Sequence, residues 1–282
     1  MTDSFPIGYM QGRLCPMVNG RIQAFPWRDW RTEFPRAQRL GLGLMEWTLD
    51  HDRLAENPLM TTQGRNDIRD LSAKYGVRVG SLTGDIFMQT PFWKAISGAE
   101  HQQRLAELDL VLDACADVGI RVIVVPLVDN GAMHNSEHEE VVIDALTTRA
   151  DRLRRNQSVI AFECDYRPAD LARFIGRLPA DVCGINLDIG NSAALGYDIE
   201  EEIAAYGQRI VNVHIKDRVL GGTTVPLGTG NANVPRALRM LVASGYPGSY
   251  VLQTARARDE DHEGTLSRYL QLTRQWLRDA EL

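Results

Sequence analysis

The chain has 282 residues, of which 44% are hydrophobic and 24% are charged, and its formal net charge at pH 7 is −6. These fractions are typical of a folded globular protein and exclude the low hydrophobicity of disordered chains. The negative net charge offers no overall positive field to phosphate backbones or to anionic membrane surfaces, so no nucleic acid and no membrane is expected as a partner.

Apolar segments of strand length recur along the chain. They are residues 5–10, 43–48, 77–82, 121–127, 158–163, 183–188, 210–215 and 249–254. Amphipathic or capped helical patterns lie between them, at residues 67–75, 99–119, 139–154, 170–178, 234–244 and 265–277. Continuous apolar strands that alternate with helices indicate a parallel sheet buried on both faces.

The number of these units indicates the architecture. Eight units in 282 residues give about 35 residues per strand and helix, and a TIM barrel needs eight such units in about 250 residues. We therefore predict an α/β protein with a (β/α)8 TIM barrel as a single domain over residues 1–282. A doubly wound open sheet is the alternative, but the segment "GYMQGRL" at the first strand lacks the G-x-G-x-x-G turn typical of that fold.

Polar residues stand at the ends of four predicted strands. Glu163, Asp188, His214 and Gln253 end the fifth to eighth strands, and the chemistry of a TIM barrel lies at this end. Each residue alone is better explained as a hydrogen-bonded residue of the core, but the four taken together are harder to explain in this way. Two carboxylates and an imidazole buried together are costly without a compensating cation. The set predicts one divalent metal ion, with its oxygen-rich ligands suited to Mn²⁺, Mg²⁺ or Co²⁺ and with Zn²⁺ as an alternative.

Several motifs together resemble a known superfamily. "LDIGN" at 187–191, "NVHIKD" at 212–217, the preceding Glu163 and the "PLGTGNAN" loop at 226–233 are similar to segments of the xylose-isomerase-like TIM barrels. That superfamily contains ketose 3-epimerases, hydroxypyruvate isomerase, inosose dehydratase and the apurinic endonucleases. The N-terminal segments also look like those of a subgroup of sugar phosphate isomerases or epimerases. The resemblance implies one metal ion held by Glu163, Asp188, His214 and the position that Gln253 occupies.

Two residues depart from the superfamily pattern. Family members often carry His where this chain has Asn191, and they usually carry Glu where it has Gln253. The multi-metal cluster of the endonucleases needs more imidazoles than this sequence offers, and the negative net charge also argues against a nucleic-acid substrate.

The amide of Gln253 cannot carry a proton at neutral pH, so the sequence favours chemistry with one carboxylate base. We predict Glu163 as the general base, the metal as a Lewis acid that stabilises an enediolate, and Lys216 as the accompanying acid. Asp217 and Glu46 are alternative acids, and each of the three candidates, Lys216 included, is better explained on its own as an ion-paired or supporting residue. The predicted reaction is sugar isomerisation. Epimerisation, dehydration and a metal-retaining, non-catalytic sugar-binding barrel are the alternatives.

A set of polar residues near the strand ends is predicted to bind the substrate. They are Arg13, Glu46, Asn191, Asp217, Arg218 and Arg256. The forked guanidinium group suits phosphate or carboxylate, and loops after strand seven often bind phosphate through backbone amides. The expected partner is therefore a small-molecule sugar, sugar phosphate or acidic sugar, although some of these arginines could pair with acidic residues instead. Barrels of the superfamily often pair, which leaves a homodimer open.

The cysteines and the N-terminus indicate the compartment. The four cysteines show no C-x-x-C spacing, which is typical of reduced thiols. The N-terminus has no signal-peptide pattern, and no apolar run approaches the ~18 residues of a membrane span. We expect a cytoplasmic protein.

Overall fold

A computed structural model describes residues 5–281, which contain a closed barrel of eight parallel strands. The strands are β1 (Ile7–Met10), β2 (Leu44–Thr48), β3 (Arg78–Thr83), β4 (Val122–Leu127), β5 (Val159–Cys164), β6 (Cys183–Asp188), β7 (Ile210–Ile215) and β8 (Tyr250–Leu252). Their order around the barrel is β1, β8, β7, β6, β5, β4, β3, β2, and β2 pairs with β1 to close it. The predicted fold class is confirmed. The predicted domain also includes residues 1–4 and 282, which lie outside the described residues.

Helices cover the outside of the barrel. They are α1 (Trp30–Leu40), α2 (Thr62–Tyr75), α3 (Asp85–Gln89), α4 (Gly98–Val118), α5 (Ser136–Asn156), α6 (Pro168–Ile175), α7 (Ile189–Leu195), α8 (Ile199–Tyr206), α9 (Val234–Ala243) and α10 (His262–Ala280). The sequence analysis missed α1, α3, α7 and α8. Pro35 inside α1 conceals that helix, because proline in a helix interior removes a hydrogen bond. Among residues 5–281, no helix combines the length and the apolar character that crossing a membrane requires.

The inward-facing side chains near the carboxyl ends of the strands are polar and buried. They include Glu46, Ser81, Thr83, Asn186, Asn212 and His214. Strands β6 and β7 are registered so that Asp188 lies opposite His214. Neighbouring parallel strands lie about 4.8 Å apart, so this register brings the two side chains into contact distance. The fold thus gathers these polar groups at one end of the barrel.

Asp217 fixes the loop that follows β7. A short hairpin pairs Asp217–Arg218 with Thr224–Val225. One carboxylate oxygen of Asp217 accepts hydrogen bonds from the amides of Gly228 and Gly230, each at 2.9 Å, and the other accepts from the amide of Ala232 at 3.1 Å. Residue 230 must be glycine for this approach, because a Cβ atom there would lie 2.3 Å from Oδ1 of Asp217. These loop amides therefore point at a protein carboxylate.

We predict that Asp217→Asn destabilises the protein by about 1–3 kcal/mol. In either orientation of the new amide, its NH₂ group faces at least one backbone N–H that Asp217 now accepts. Urea unfolding measures the change. Asp259→Asn, at an exposed carboxylate, is the control and should stay within about 0.5 kcal/mol of the unaltered protein. Equal unfolding midpoints for both variants would contradict the assigned role of Asp217.

Candidate functional site

Three of the four predicted ligands form one cluster. Glu163 on β5, Asp188 at the end of β6 and His214 on β7 each offer a ligand atom, and these atoms all lie within 4.8 Å of one another. All three residues are buried, and their strands are consecutive in the barrel. Two carboxylates and one imidazole are a suitable donor set for a divalent cation. This cluster could hold a metal ion.

Glu46 orients the imidazole of His214. Nε2 of His214 lies 2.7 Å from Oε1 of Glu46, which also accepts from the hydroxyl of Thr83 at 2.5 Å. Burial opposes the charged form of Glu46, but attraction to His214 and the hydroxyl hydrogen bonds outweigh it and hold the pKa of Glu46 below its usual value. A charged Glu46 accepts the proton of Nε2, so Nδ1 faces Glu163, whose Oε2 is 3.2 Å away. Metal-binding histidines typically have this arrangement, in which the second ring nitrogen donates to a carboxylate.

The carboxylates around His214 determine the protonation of its imidazole. Burial disfavours the imidazolium, but the surrounding carboxylates of Glu46, Asp188 and Glu163 raise the pKa of His214 well above 6.5. A metal ion needs the neutral imidazole, so binding at Nδ1 would release a proton.

Asp188 carries a buried oxygen without a well-aligned hydrogen bond. Its Oδ1 accepts from the backbone N–H of Asn191 at 2.9 Å. Its Oδ2 has no hydrogen-bond partner of good geometry and forms an ion pair with Nζ of Lys216. Burial opposes its charge, yet the Lys216 ammonium and His214 lower the pKa of Asp188 below its usual value. An ionised carboxylate with an oxygen of this kind fits the predicted ligand role.

Gln253 lies beside the cluster, and both ends of its amide are engaged. Oε1 accepts from Nζ of Lys216 at 2.9 Å, and Nε2 donates to Oε1 of Gln23 at 2.9 Å. Gln23 in turn donates to Oδ2 of Asp85 at 2.8 Å. The oxygen of Gln253 thus shares Lys216 with Asp188, and its role as a fourth metal ligand stays a prediction.

Asn191 and Asn186 hold the carboxylate of Glu163. Nδ2 of Asn191 donates to Oε1 at 2.6 Å, and Nδ2 of Asn186 donates to Oε2 at 2.9 Å. Nη1 of Arg218 donates to Oδ1 of Asn191 at 2.8 Å, while Nε and Nη2 of Arg218 bind the carbonyl of Gly222. Asn191 and Arg218 therefore orient the predicted base, and their predicted contacts with substrate stay predictions.

Arg13 and Arg256 bind backbone carbonyls in the loops after β1 and β8. Nε of Arg13 donates to the carbonyl of Thr254 at 2.9 Å and Nη1 to that of Ile22 at 3.0 Å. Arg256 donates to the carbonyls of Gly12 and Cys15. Burial, helped by repulsion from Arg256, lowers the pKa of Arg13 to about 9. These bonds tie the two loops together, so the geometry favours a supporting role for both arginines.

Several polar residues of this site were not predicted from the sequence, among them Asn186, Asn212, Asp85 and Gln23. Asn186 and Asn212 each stand two positions before a predicted ligand, so strand alternation indicates that they share its face. Asp85 follows the end of β3, where the strand-end rule applied to the other strands would have found it. Gln23 lies in an irregular loop, and no sequence signal marks it.

Comparisons with known proteins identify the family of the chain. Residues 34–280 match the model of the xylose isomerase-like TIM barrel family. The L-ribulose-5-phosphate 3-epimerase UlaE of Escherichia coli is 28% identical over 241 residues, which cover 82% of this chain and 84% of that protein.

Solved structures show the same fold across the chain. The structure of an L-ribulose 3-epimerase has a TM-score of 0.76 at 14% identity and covers 98% of this chain and 96% of its own. A xylose isomerase-like TIM barrel protein from Mycobacterium smegmatis in complex with magnesium has a TM-score of 0.71 at 18% identity, with 99% of each chain covered. The prediction of an enzyme is confirmed, and the chain belongs to the xylose isomerase-like TIM barrel family.

Proposed function

We propose that this protein is a divalent-metal-dependent epimerase or isomerase of a sugar, which removes a proton from the carbon next to a carbonyl group to give an enediolate. The observation that carries the proposal is the buried cluster of Glu163, Asp188 and His214 at the carboxyl ends of the strands, with Glu46 behind the imidazole. The similarity to a sugar-phosphate 3-epimerase over four-fifths of the chain supports it. Because that relative is an epimerase, epimerisation becomes the leading reaction, ahead of isomerisation.

Glu163, Asp188 and His214 would hold the ion, with the amide oxygen of Gln253 as the proposed fourth ligand. When bound there, a divalent ion supplies a Lewis acid that stabilises negative charge on the substrate oxygens. The magnesium in the Mycobacterium smegmatis structure supports Mg²⁺, and the donor set also suits Mn²⁺, Co²⁺ or Zn²⁺.

Glu163 is the proposed general base. The residue lies near the carboxyl end of β5 and is 7% exposed, and Asn191 and Asn186 each donate to one of its carboxylate oxygens. Two amide donors fix the carboxylate in one orientation, which lowers the entropy cost of reaching the reactive geometry. Lys216 carries an ammonium group between Asp188 and Gln253 and is the proposed acid toward a substrate oxygen.

The substrate class is proposed as a sugar, with a phosphorylated sugar supported by the named relative. The phosphate-binding groups predicted from the sequence do not supply that support. The amides of Gly228, Gly230 and Ala232 donate to Asp217, and Arg13 donates to backbone carbonyls. A substrate phosphate would therefore need other donors, and Arg218, which donates to Asn191 beside Glu163, is one candidate.

We predict that Glu163→Gln slows carbon-bound hydrogen exchange by at least about 100-fold for the epimer whose proton faces residue 163, because the amide cannot accept the proton. The assay follows deuterium uptake in D₂O by NMR for a panel that includes L-ribulose and L-ribulose 5-phosphate, with and without Mg²⁺ or Mn²⁺. Metal content measured on the same samples separates loss of the base from loss of a ligand.

The matched control is Glu140→Gln, at a carboxylate that pairs with Arg177 on the surface. It should exchange at the unaltered rate. Exchange that persists at the unaltered rate from both epimers of a substrate in metal-loaded Glu163→Gln would overturn the role of Glu163 as base. Absence of exchange by the unaltered, metal-loaded protein across the panel would argue for a non-catalytic barrel.

We predict that Glu46→Gln weakens metal binding by about 10–100-fold, since the variant loses the charge that directs the Nε2 proton of His214. Titration calorimetry with Mn²⁺ measures the affinity. Ser81→Ala removes one hydrogen bond to Glu46 without touching His214, so it should have the smaller effect. Equal Mn²⁺ affinity in folded Glu46→Gln and unaltered protein would show that Glu46 does not position the imidazole.

A further inference from the structure

An ordered chain of hydrogen bonds leads away from the metal cluster to a carboxyl group that the proposed reaction does not yet use. Lys216 donates to Oε1 of Gln253, Nε2 of Gln253 donates to Oε1 of Gln23, and Nε2 of Gln23 donates to Oδ2 of Asp85. Every donor in the chain points toward Asp85. A glutamate at position 253 could accept from Lys216 but could not donate to Gln23, so this chain requires an amide.

We propose that Asp85 is the second acid–base residue of the reaction, which exchanges a proton with the substrate carbon on the face opposite to Glu163. This proposal rests on the proposed function and makes the reaction an epimerisation.

The fold brings Asp85 to the same end of the barrel as Glu163 but from a different side. Asp85 is the first residue of α3, two positions after the end of β3, whereas Glu163 lies on β5, and β4 separates the two strands. The turn is held in place because the amide of Gly84 donates to the carbonyl of Val124 at 3.0 Å. Asp85 itself is 7% exposed, as is Glu163. Two groups that approach one carbon from different strands can reach its opposite faces.

The surroundings of Asp85 suit a group that both gives and takes a proton. Burial raises the pKa of Asp85 to about 7, and the negative charges of Asp50 and Glu163 add to this effect, while the hydrogen bond from Gln23 and the charge of Arg13 oppose it. A general acid works best when its pKa lies near the working pH. At neutral pH the acid and base forms of Asp85 are therefore both populated.

The proton transfers balance. In one direction the Glu163 carboxylate takes the proton from the substrate carbon, and the carbon–hydrogen bond electrons form the enediolate. The Asp85 carboxylic acid then gives its proton to the other face of that carbon, which restores the carbonyl group. Glu163 ends protonated and Asp85 ionised, and proton exchange with solvent returns both to their starting forms.

Asp165 is the competing carboxyl group and serves as the matched control. Burial and the charge of Glu163 raise the pKa of Asp165 to about 6. It stands two positions after Glu163 at the end of the same strand, so it approaches the substrate from the side that Glu163 already occupies. We therefore expect Asp165→Asn to retain epimerisation.

The test follows deuterium in D₂O with metal-loaded Asp85→Asn and with the two epimers of a substrate ketose in separate reactions. From the epimer whose proton faces Glu163, recovered substrate should still gain deuterium, whereas formation of the other epimer should fall by at least about 100-fold. From the opposite epimer, deuterium uptake should also be lost. Glu163→Gln should show the reverse dependence on the starting epimer.

The outcomes separate the two proposals. Lack of exchange in the unaltered protein overturns the proposed function itself. Exchange that depends on Glu163, together with unaltered epimerisation by Asp85→Asn, overturns only the role of Asp85. Thermal unfolding checks that Asp85→Asn is folded. If it is not, Gln23→Met leaves Asp85 in place while breaking the chain, and it should slow epimer formation more than deuterium uptake; equal slowing of both would contradict the proposal.

Discussion

The buried contact between Glu46 and His214 is the constraint on which the whole site depends. It joins β2 to β7 across the barrel interior, and both side chains are fully buried. A buried carboxylate is stable only when its oxygens are fully hydrogen-bonded, and here Ser81 and Thr83 of β3 and Asn212 of β7 complete the set. Residues of β2, β3 and β7 therefore hold the imidazole of His214 in one orientation, and this orientation determines where Nδ1 points.

From this contact a network of side-chain amides extends to the proposed base. Asn212 donates to both Glu46 and Oδ1 of Asn186, and Asn186 donates to Glu163. Asn191 then binds the other oxygen of Glu163. Each amide presents a donor to a carboxylate, and together they orient Glu163 beside Nδ1 of His214. Amides suit this purpose because they orient a carboxylate without neutralising its negative charge.

The sequence was sufficient to predict the barrel and to select three polar residues that lie together at its end, because both depend on local patterns. Apolar strands at regular spacing define the sheet, and the strand-end rule selects Glu163, Asp188 and His214. Sequence patterns do not predict the directions in which long side chains point. Whether Arg256 reaches a ligand or the carbonyl of Gly12 depends on how two loops distant in sequence pack together.

The loop after β7 illustrates the same limit. Its glycines suggested free backbone amides for a phosphate group. In the structure those of Gly228 and Gly230 bind Asp217, which belongs to the same motif as His214. A glycine-rich loop can approach a carboxylate of its own chain as closely as it can approach a phosphate, since both need only the absence of Cβ atoms.

The neighbours of Gln253 explain why an amide, and not a carboxylate, stands at this position. A carboxylate at that position would add a third negative charge beside Asp188 and Glu163, would compete with Asp188 for Lys216 and would leave Gln23 without its donor. The amide adds no negative charge beside Asp188 and Glu163. It also connects Lys216 to Asp85 through Gln23, by hydrogen bonds that are all donated toward Asp85. Glutamine at position 253 cannot carry a proton as a glutamate would. Its Nε2 group instead donates to Gln23, which holds the buried carboxyl group of Asp85. With Asp85 as the proposed second acid–base residue, two-base chemistry would not require a carboxylate at position 253.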